Sequence, residues 1–68
     1  MIREKYIVCK TLLEAIIIVL ISKKRLSKNS RIYYKTRVNK IAEEIEYIEH
    51  TIDKNINEAT DILIELSR

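Results

Sequence analysis

Apolar residues crowd the first third of the chain with helical spacing. One set recurs in steps of three and four, namely Tyr6, Cys9, Leu13, Ile16 and Leu20. This spacing marks one face of an α-helix. Further isoleucines, valines and leucines fill most of the remaining circumference. The pattern therefore predicts a helix over about residues 3–26 that is buried on most of its sides.

A polar stretch separates this segment from the next. Between residues 22 and 31 the sole large apolar residue is Leu26, and the rest are serines, an asparagine and basic residues. Ser27, Asn29 and Ser30 are each suited to cap the start of a following helix. We expect the break between two helices here.

A second apolar pattern begins at Tyr34 and alternates steps of four and three for more than four heptads. Its positions are Tyr34, Val38, Ile41, Ile45, Ile48, Ile52, Asn55, Ala59, Ile62 and Leu66. A run of this length is typical of a long helix that packs against another helix.

The end of the second helix has two alternative readings. Suppose that the second helix begins near residue 31 and pairs antiparallel with the first. The first helix is then long enough to pack against it only to about residue 54. The sequence Asn55-Ile56-Asn57-Glu58 resembles a capping box and predicts a short third helix over 56–67. The alternative continues the second helix to 67, with Asn55 as a buried polar residue that fixes the register between chains.

Composition narrows the fold class. The chain has neither glycine nor proline, which removes the residues that tight turns in sheets need. If the first apolar pattern is extended beyond Leu20, it coincides with the second pattern only at Tyr34. This mismatch favours a hairpin over one long rod. We therefore predict a single all-α domain over 1–68, an antiparallel helical hairpin with or without the third helix.

Size favours self-association. A chain of 68 residues buries only about 60% of its unfolded surface, and one cysteine and one histidine supply neither a disulfide nor a metal site. We expect a homo-oligomeric helical bundle, a dimer or tetramer, or else binding to another protein. The residues expected in the helix-packing and oligomer interface are Leu13, Ile16, Ile17, Leu20, Val38, Ile41, Ile45, Ile48, Ile52, Ile62 and Leu66.

Charge is divided sharply along the chain. Residues 22–40 contain eight lysines and arginines and no acid, whereas residues 41–68 contain eight acids and two basic residues. Lysines and arginines grouped at a helix-helix corner can neutralise nucleic-acid phosphates, and a nearby tyrosine can stack on an unpaired base. The candidate nucleic-acid contacts, termed the basic elbow, are Lys23, Lys24, Arg25, Lys28, Arg31, Tyr33 and Lys35. The competing interpretation is a turn that the charges merely keep soluble.

A membrane is a second candidate partner. Tyr6–Ser22 is 17 residues long, at the short limit for spanning a bilayer, and is followed by the basic flank expected on the cytoplasmic side. Glu14 and Lys10 offset the apolar gain, so the net insertion energy is close to zero. The alternative function is thus a membrane-associated protein with residues 6–22 in or on the bilayer. A further alternative is an inhibitor or adaptor that binds a protein through the first helix.

Catalytic chemistry finds no support in the sequence. Glu46, Glu49, His50 and Asp53 share one strip of the predicted second helix, and we interpret them as a solvated acidic face. We expect no catalytic residue, no metal and no cofactor. The lone Cys9 fits a reducing, cytoplasmic setting. The sequence favours a small non-enzymatic helical interaction or regulatory protein.

Overall fold

The residues that the structure describes form three successive α-helices. The computed structural model describes residues 2–47 and 49–68 and contains α1 (Ile2–Ser22), α2 (Lys28–Tyr47) and α3 (Ile52–Ser67). A single 3₁₀ turn, Glu49–Thr51, leads into α3. No strand occurs in these two ranges, and the predicted all-α class is confirmed.

The helices form an up-down-up bundle with extents of 38 × 16 × 15 Å. Close to the starts of α1 and α3, Lys5 Nζ lies 3.0 Å from Asp53 Oδ1, so these two helices run parallel. α2 runs antiparallel to both, and α1 makes its larger interface with α3 rather than with α2. The predicted hairpin is present, and α3 completes it.

The turn between α1 and α2 is held by side chains. The Ser27 hydroxyl accepts a hydrogen bond from the Ser30 amide at 3.1 Å, which is the N-cap geometry that serine favours. The Arg31 guanidinium donates to the main-chain carbonyls of Leu20, in the last turn of α1, and of Lys23, just after it. It so satisfies an acceptor that the end of α1 leaves unpaired. α1 therefore ends at Ser22 rather than at 26, and α2 begins at Lys28 rather than near 31.

The core combines one face from each helix. Its buried apolar residues are Cys9, Leu13, Ile16, Leu20, Val38, Ile41, Ile52, Ala59, Ile62 and Leu66. These positions belong to the two predicted heptad patterns. Among the predicted interface residues, Ile45 is half-buried against this core, Ile17 is exposed, and Ile48 lies outside the described residues.

Both predicted boundaries of the later helices are wrong. α2 ends at Tyr47, not at 54 or 67, and α3 begins at Ile52, not at 56. Asn55 is no N-cap: it lies inside α3, 2% exposed, and its side-chain amide donates to the Thr51 hydroxyl at 3.1 Å. The last turn of α2 carries acids and no basic residue, which is unfavourable at a helix C-terminus. Because the chain folds back after α2, α3 buries its apolar face against α1 and α2. A straight continuation of α2 would extend beyond the end of α1.

The expectation that α1 is buried on most of its sides is also wrong within one chain. Only the Cys9, Leu13, Ile16 and Leu20 side of α1 is fully buried. The opposite side still carries large apolar residues, and it faces outward.

Candidate interaction surface

The outward side of α1 exposes an unusual amount of apolar surface. The exposed large apolar residues of α1 are Ile7, Val8, Ile17, Ile18 and Ile21, with Ile21 the most exposed at 74%. Of these, Ile17, Ile18 and Ile21 lie together on the outward side, and Val8 lies on another side of the helix. Single exposed apolar side chains are normal on proteins, whereas a contiguous group on one face marks a contact surface. This side of α1 is the strongest candidate for a binding surface.

A groove continues this surface onto α2. Ile17, Leu20, Ile21 and Val38 supply its apolar walls, and the volume is about 340 Å³. Arg31, Lys35 and Asn39 complete the lining. Since no residue of α3 contributes, the groove opens on the face formed by α1 and α2.

The exposed residues on this face also recur with the spacing of a helix face. On α1 they are Ile7, Lys10, Glu14, Ile17 and Ile21, in alternating steps of three and four, and all are exposed. On α2 they are Lys28, Ile32, Lys35, Asn39, Ala42 and Glu46, with the same alternation; all are exposed except the half-buried Ala42. Such spacing suits packing against further helices. We term these residues the outer seams of α1 and α2.

Some residues of the basic elbow are exposed, and others make contacts within the fold. Lys24, Arg25, Lys28 and Lys35 are exposed, and none of them forms an ion pair within the described residues. Arg31 is half-buried and is held by the main-chain carbonyls of Leu20 and Lys23. The available cations are therefore mainly the lysines and Arg25, and not the whole predicted set.

Tyr33 has partners on the α3 side of α2. Its ring lies edge-on to Tyr34, with centroids 5.1 Å apart, and 5.3 Å from the Arg37 guanidinium carbon. Tyr33 as a whole is still 55% exposed. The tyrosine predicted to stack on a base therefore has one side against Arg37 and is separated from the outer seam that carries Lys28 and Lys35.

Arg37 connects α2 to α3 through two carboxylates. Its Nε donates to Glu58 Oε1 at 2.8 Å, and its Nη1 lies 3.1 Å from Glu65 Oε2. The Arg37 side chain is 20% exposed. Burial alone would lower the pKa of Arg37, but the hydrogen bonds to Glu58 and Glu65 outweigh it and raise the pKa above its ordinary value. This cluster was missed from the sequence, although Arg37, Glu58 and Glu65 each directly precede a heptad core position.

Tyr34 belongs to the same cluster, with its hydroxyl donating to Glu65 Oε1 at 3.4 Å. Burial, followed by the charge of Glu65, raises the pKa of Tyr34 above its ordinary value of 10.0. The unfolded chain therefore loses this proton at lower pH than the folded one. The resulting contribution to stability is complete below pH 10.0 and is lost as the pH rises through the higher folded pKa.

The acidic strip predicted on the second helix is not continuous. Glu46 lies on α2, His50 in the 3₁₀ turn and Asp53 on α3, because the helix breaks between them. Within residues 2–47 and 49–68, no three or more His, Cys, Asp or Glu residues group so as to hold a metal ion. Cys9 is fully buried, and burial raises the pKa of its thiol, which leaves it as a small apolar core residue.

None of the helices described here has a stretch long and apolar enough to cross a membrane. Lys10 and Glu14, both exposed on α1, interrupt the apolar segment.

The fold and this surface define a small three-helix bundle with exposed apolar residues on the outward side of α1, beside a mostly polar face of α2. Comparison of the chain with protein-family models, with curated proteins and with solved structures found no match.

Proposed function

We propose that this protein is a non-enzymatic interaction module that self-associates through the α1 and α2 face. The supporting observation is the exposed apolar side of α1, which includes Ile17, Ile18 and Ile21. Burying half-exposed isoleucines against a second helix gains about 25 cal/mol for each Å² of apolar area removed from water. A cytoplasmic location accords with the lone reduced cysteine.

A second copy is the partner that this face suits best, because each outer seam carries both signs of charge. Lys10 and Glu14 lie at the middle of the α1 seam, and the α2 seam runs from Lys28 to Glu46. A face that is basic in one part and acidic in another is complementary to itself.

Ile17→Glu should strongly weaken self-association. Each dimer would contain two carboxylates in an apolar contact, and we expect a loss of about 2 kcal/mol or more, roughly thirtyfold in the dissociation constant. Sedimentation equilibrium across a concentration series measures the constant, and far-UV circular dichroism verifies that the bundle still folds.

Ile64→Glu is the matched control for this change. Ile64 on α3 is 49% exposed, close to the 45% of Ile17, but it lies outside the proposed face. Its replacement should leave the dissociation constant unchanged. Equal weakening by both substitutions, or a protein that stays monomeric without any substitution, would contradict the proposal.

The basic elbow supports a second candidate function, contact with nucleic acid. The favouring observation is that Lys24, Arg25 and Lys28 are exposed and have no acidic partner among the described residues. Cations in this state can displace condensed counterions from phosphates. Tyr33 retains an exposed part of its ring for stacking.

Neutralising Lys24, Arg25 and Lys28 to glutamine should weaken binding to single- and double-stranded oligonucleotides. The slope of log K against log salt concentration should fall by about 2 to 3, since each lost phosphate contact removes about 0.7 to 0.9. Fluorescence anisotropy over a salt series provides the measurement. A control with Arg3, Lys40 and Lys54 neutralised makes the same change in net charge, and an equal loss there would assign the binding to net charge and not to the elbow.

A further inference from the structure

The distribution of charge on the outer seams sets the direction of the proposed dimer. The first half of the α2 seam is basic, with Lys28 and Lys35, and its end is acidic, with Glu46. Glu43 lies beside Ala42 and Glu46 on the same surface. Charge therefore changes sign along the long axis of the face.

We propose that two copies pack face to face about a two-fold axis perpendicular to the helices, so that α1 lies antiparallel on α1 and α2 antiparallel on α2. This inference rests on the proposed function and adds the orientation of the partner. The basic half of each α2 then faces the acidic half of the other. The two elbows lie at opposite ends of the dimer.

The charged residues in the middle of α1 favour the same orientation. In an antiparallel pair centred between Lys10 and Glu14, Lys10 of each copy lies against Glu14 of the other. The same register places Ile7 of each copy against Ile17 of the other. Both contacts occur twice by symmetry, as an isologous interface requires.

The charges of the basic elbow make the opposite orientation unfavourable. A two-fold axis along the helices would bring both basic elbows to one end, with Lys24, Arg25 and Lys28 of each copy close together. Like charges brought together in this way repel. None of these three cations has an acid in its own chain to neutralise it among the described residues.

A mixed-copy experiment tests the orientation directly. Lys10→Glu gives a copy with two acids at the centre of the interface, and Glu14→Lys gives a copy with two cations. Each variant alone should dimerise about tenfold more weakly or worse, because both symmetric pairs become repulsive. An equimolar mixture should recover a heterodimer within about threefold of the unaltered affinity, since both pairs become attractive again.

Intrachain effects do not mimic this rescue. Mixing leaves the Lys10 and Glu14 positions within each chain unchanged, so only contact between copies can restore affinity. The control pair is Lys54→Glu with Asp61→Lys, which makes the same charge changes at exposed positions of α3. Each control variant alone should dimerise normally.

Disulfide formation gives an independent measurement. Ile7→Cys and Ile17→Cys copies, distinguished by a tag on one of them, should form the mixed disulfide under mild oxidation, and Ile7→Cys with Ile64→Cys should not. The buried native Cys9 does not compete. Mixed-copy rescue together with the Ile7-Ile17 disulfide supports the antiparallel dimer. A dimer that shows neither overturns the orientation while leaving self-association in place, whereas a protein that is monomeric without substitution overturns the proposed function itself.

Discussion

Ile62→Ala should remove a large fraction of the free energy of unfolding. Ile62 is 0% exposed and lies in α3 within the core shared by the three helices. Removing a buried isoleucine side chain costs about 2 to 5 kcal/mol, because the transfer energy is lost and a cavity remains. A domain of this size has a total stability of about 3 to 10 kcal/mol, so the loss is roughly half of the whole.

Circular dichroism at 222 nm during urea titration measures this effect. The matched control is Ile64→Ala, two positions further along the same helix and 49% exposed, which should cost less than about 1 kcal/mol. If the two substitutions shift the urea midpoint equally, α3 is not docked as described. Ile16→Ala on α1, also 0% exposed, should behave like Ile62→Ala, because both helices contribute to one core.

Arg37→Met should produce the largest loss among the changes to polar residues. Methionine keeps an apolar stem of similar length but leaves Glu58 and Glu65 facing α2 without their shared cation. Hydrogen bonds to charged groups contribute about 1.5 to 3 kcal/mol each when buried. Glu58 and Glu65 are 40% and 41% exposed, so solvent screening reduces the expected total to about 2 kcal/mol.

Urea denaturation at low and high salt tests this prediction. Lys5→Met is the control, since it also removes a cation that links two helices, but both partners are well exposed, at 48% for Lys5 and 72% for Asp53. It should change stability by less than about 0.5 kcal/mol. Equal effects of the two substitutions would mean that the Arg37 cluster is an ordinary surface contact. Arg37→Lys should fall between, because a lysine cannot reach both carboxylates with a planar fork.

The heptad patterns could be read from the sequence because burial of one face requires them. Val38, Ile41, Ile52 and Ile62 were all expected in the interface and are all buried. The periodicity of α2, which ends at Tyr47, continues into α3, which begins at Ile52, without a slip. Each helix turns the residues of this pattern toward the core. For that reason the pattern could not reveal that the helix ends at Tyr47.

The candidate surface was predictable only in part. The basic elbow follows from composition, but the use of Arg31 on the carbonyls of Leu20 and Lys23 depends on how closely α1 and α2 meet. The inner face of α1 has no charged residue, whereas the outer seam contains Lys10 and Glu14, so the spacing pattern already indicated the buried side. How much of the remaining apolar surface is covered depends on the positions of α2 and α3.

The sequence by itself determined that this protein is helical, that it turns back on itself between residues 22 and 31, and which face of each helix is apolar. These properties are local, because they depend on intrinsic preferences and on spacing along one helix. The tertiary structure decided where the second helix breaks, which cations remain free, and how much of the apolar surface of α1 stays uncovered. These outcomes depend on contacts between residues far apart in the chain: α3 covers one side of the hairpin, and the groove between Ile17, Ile21 and Lys35 remains open on the other.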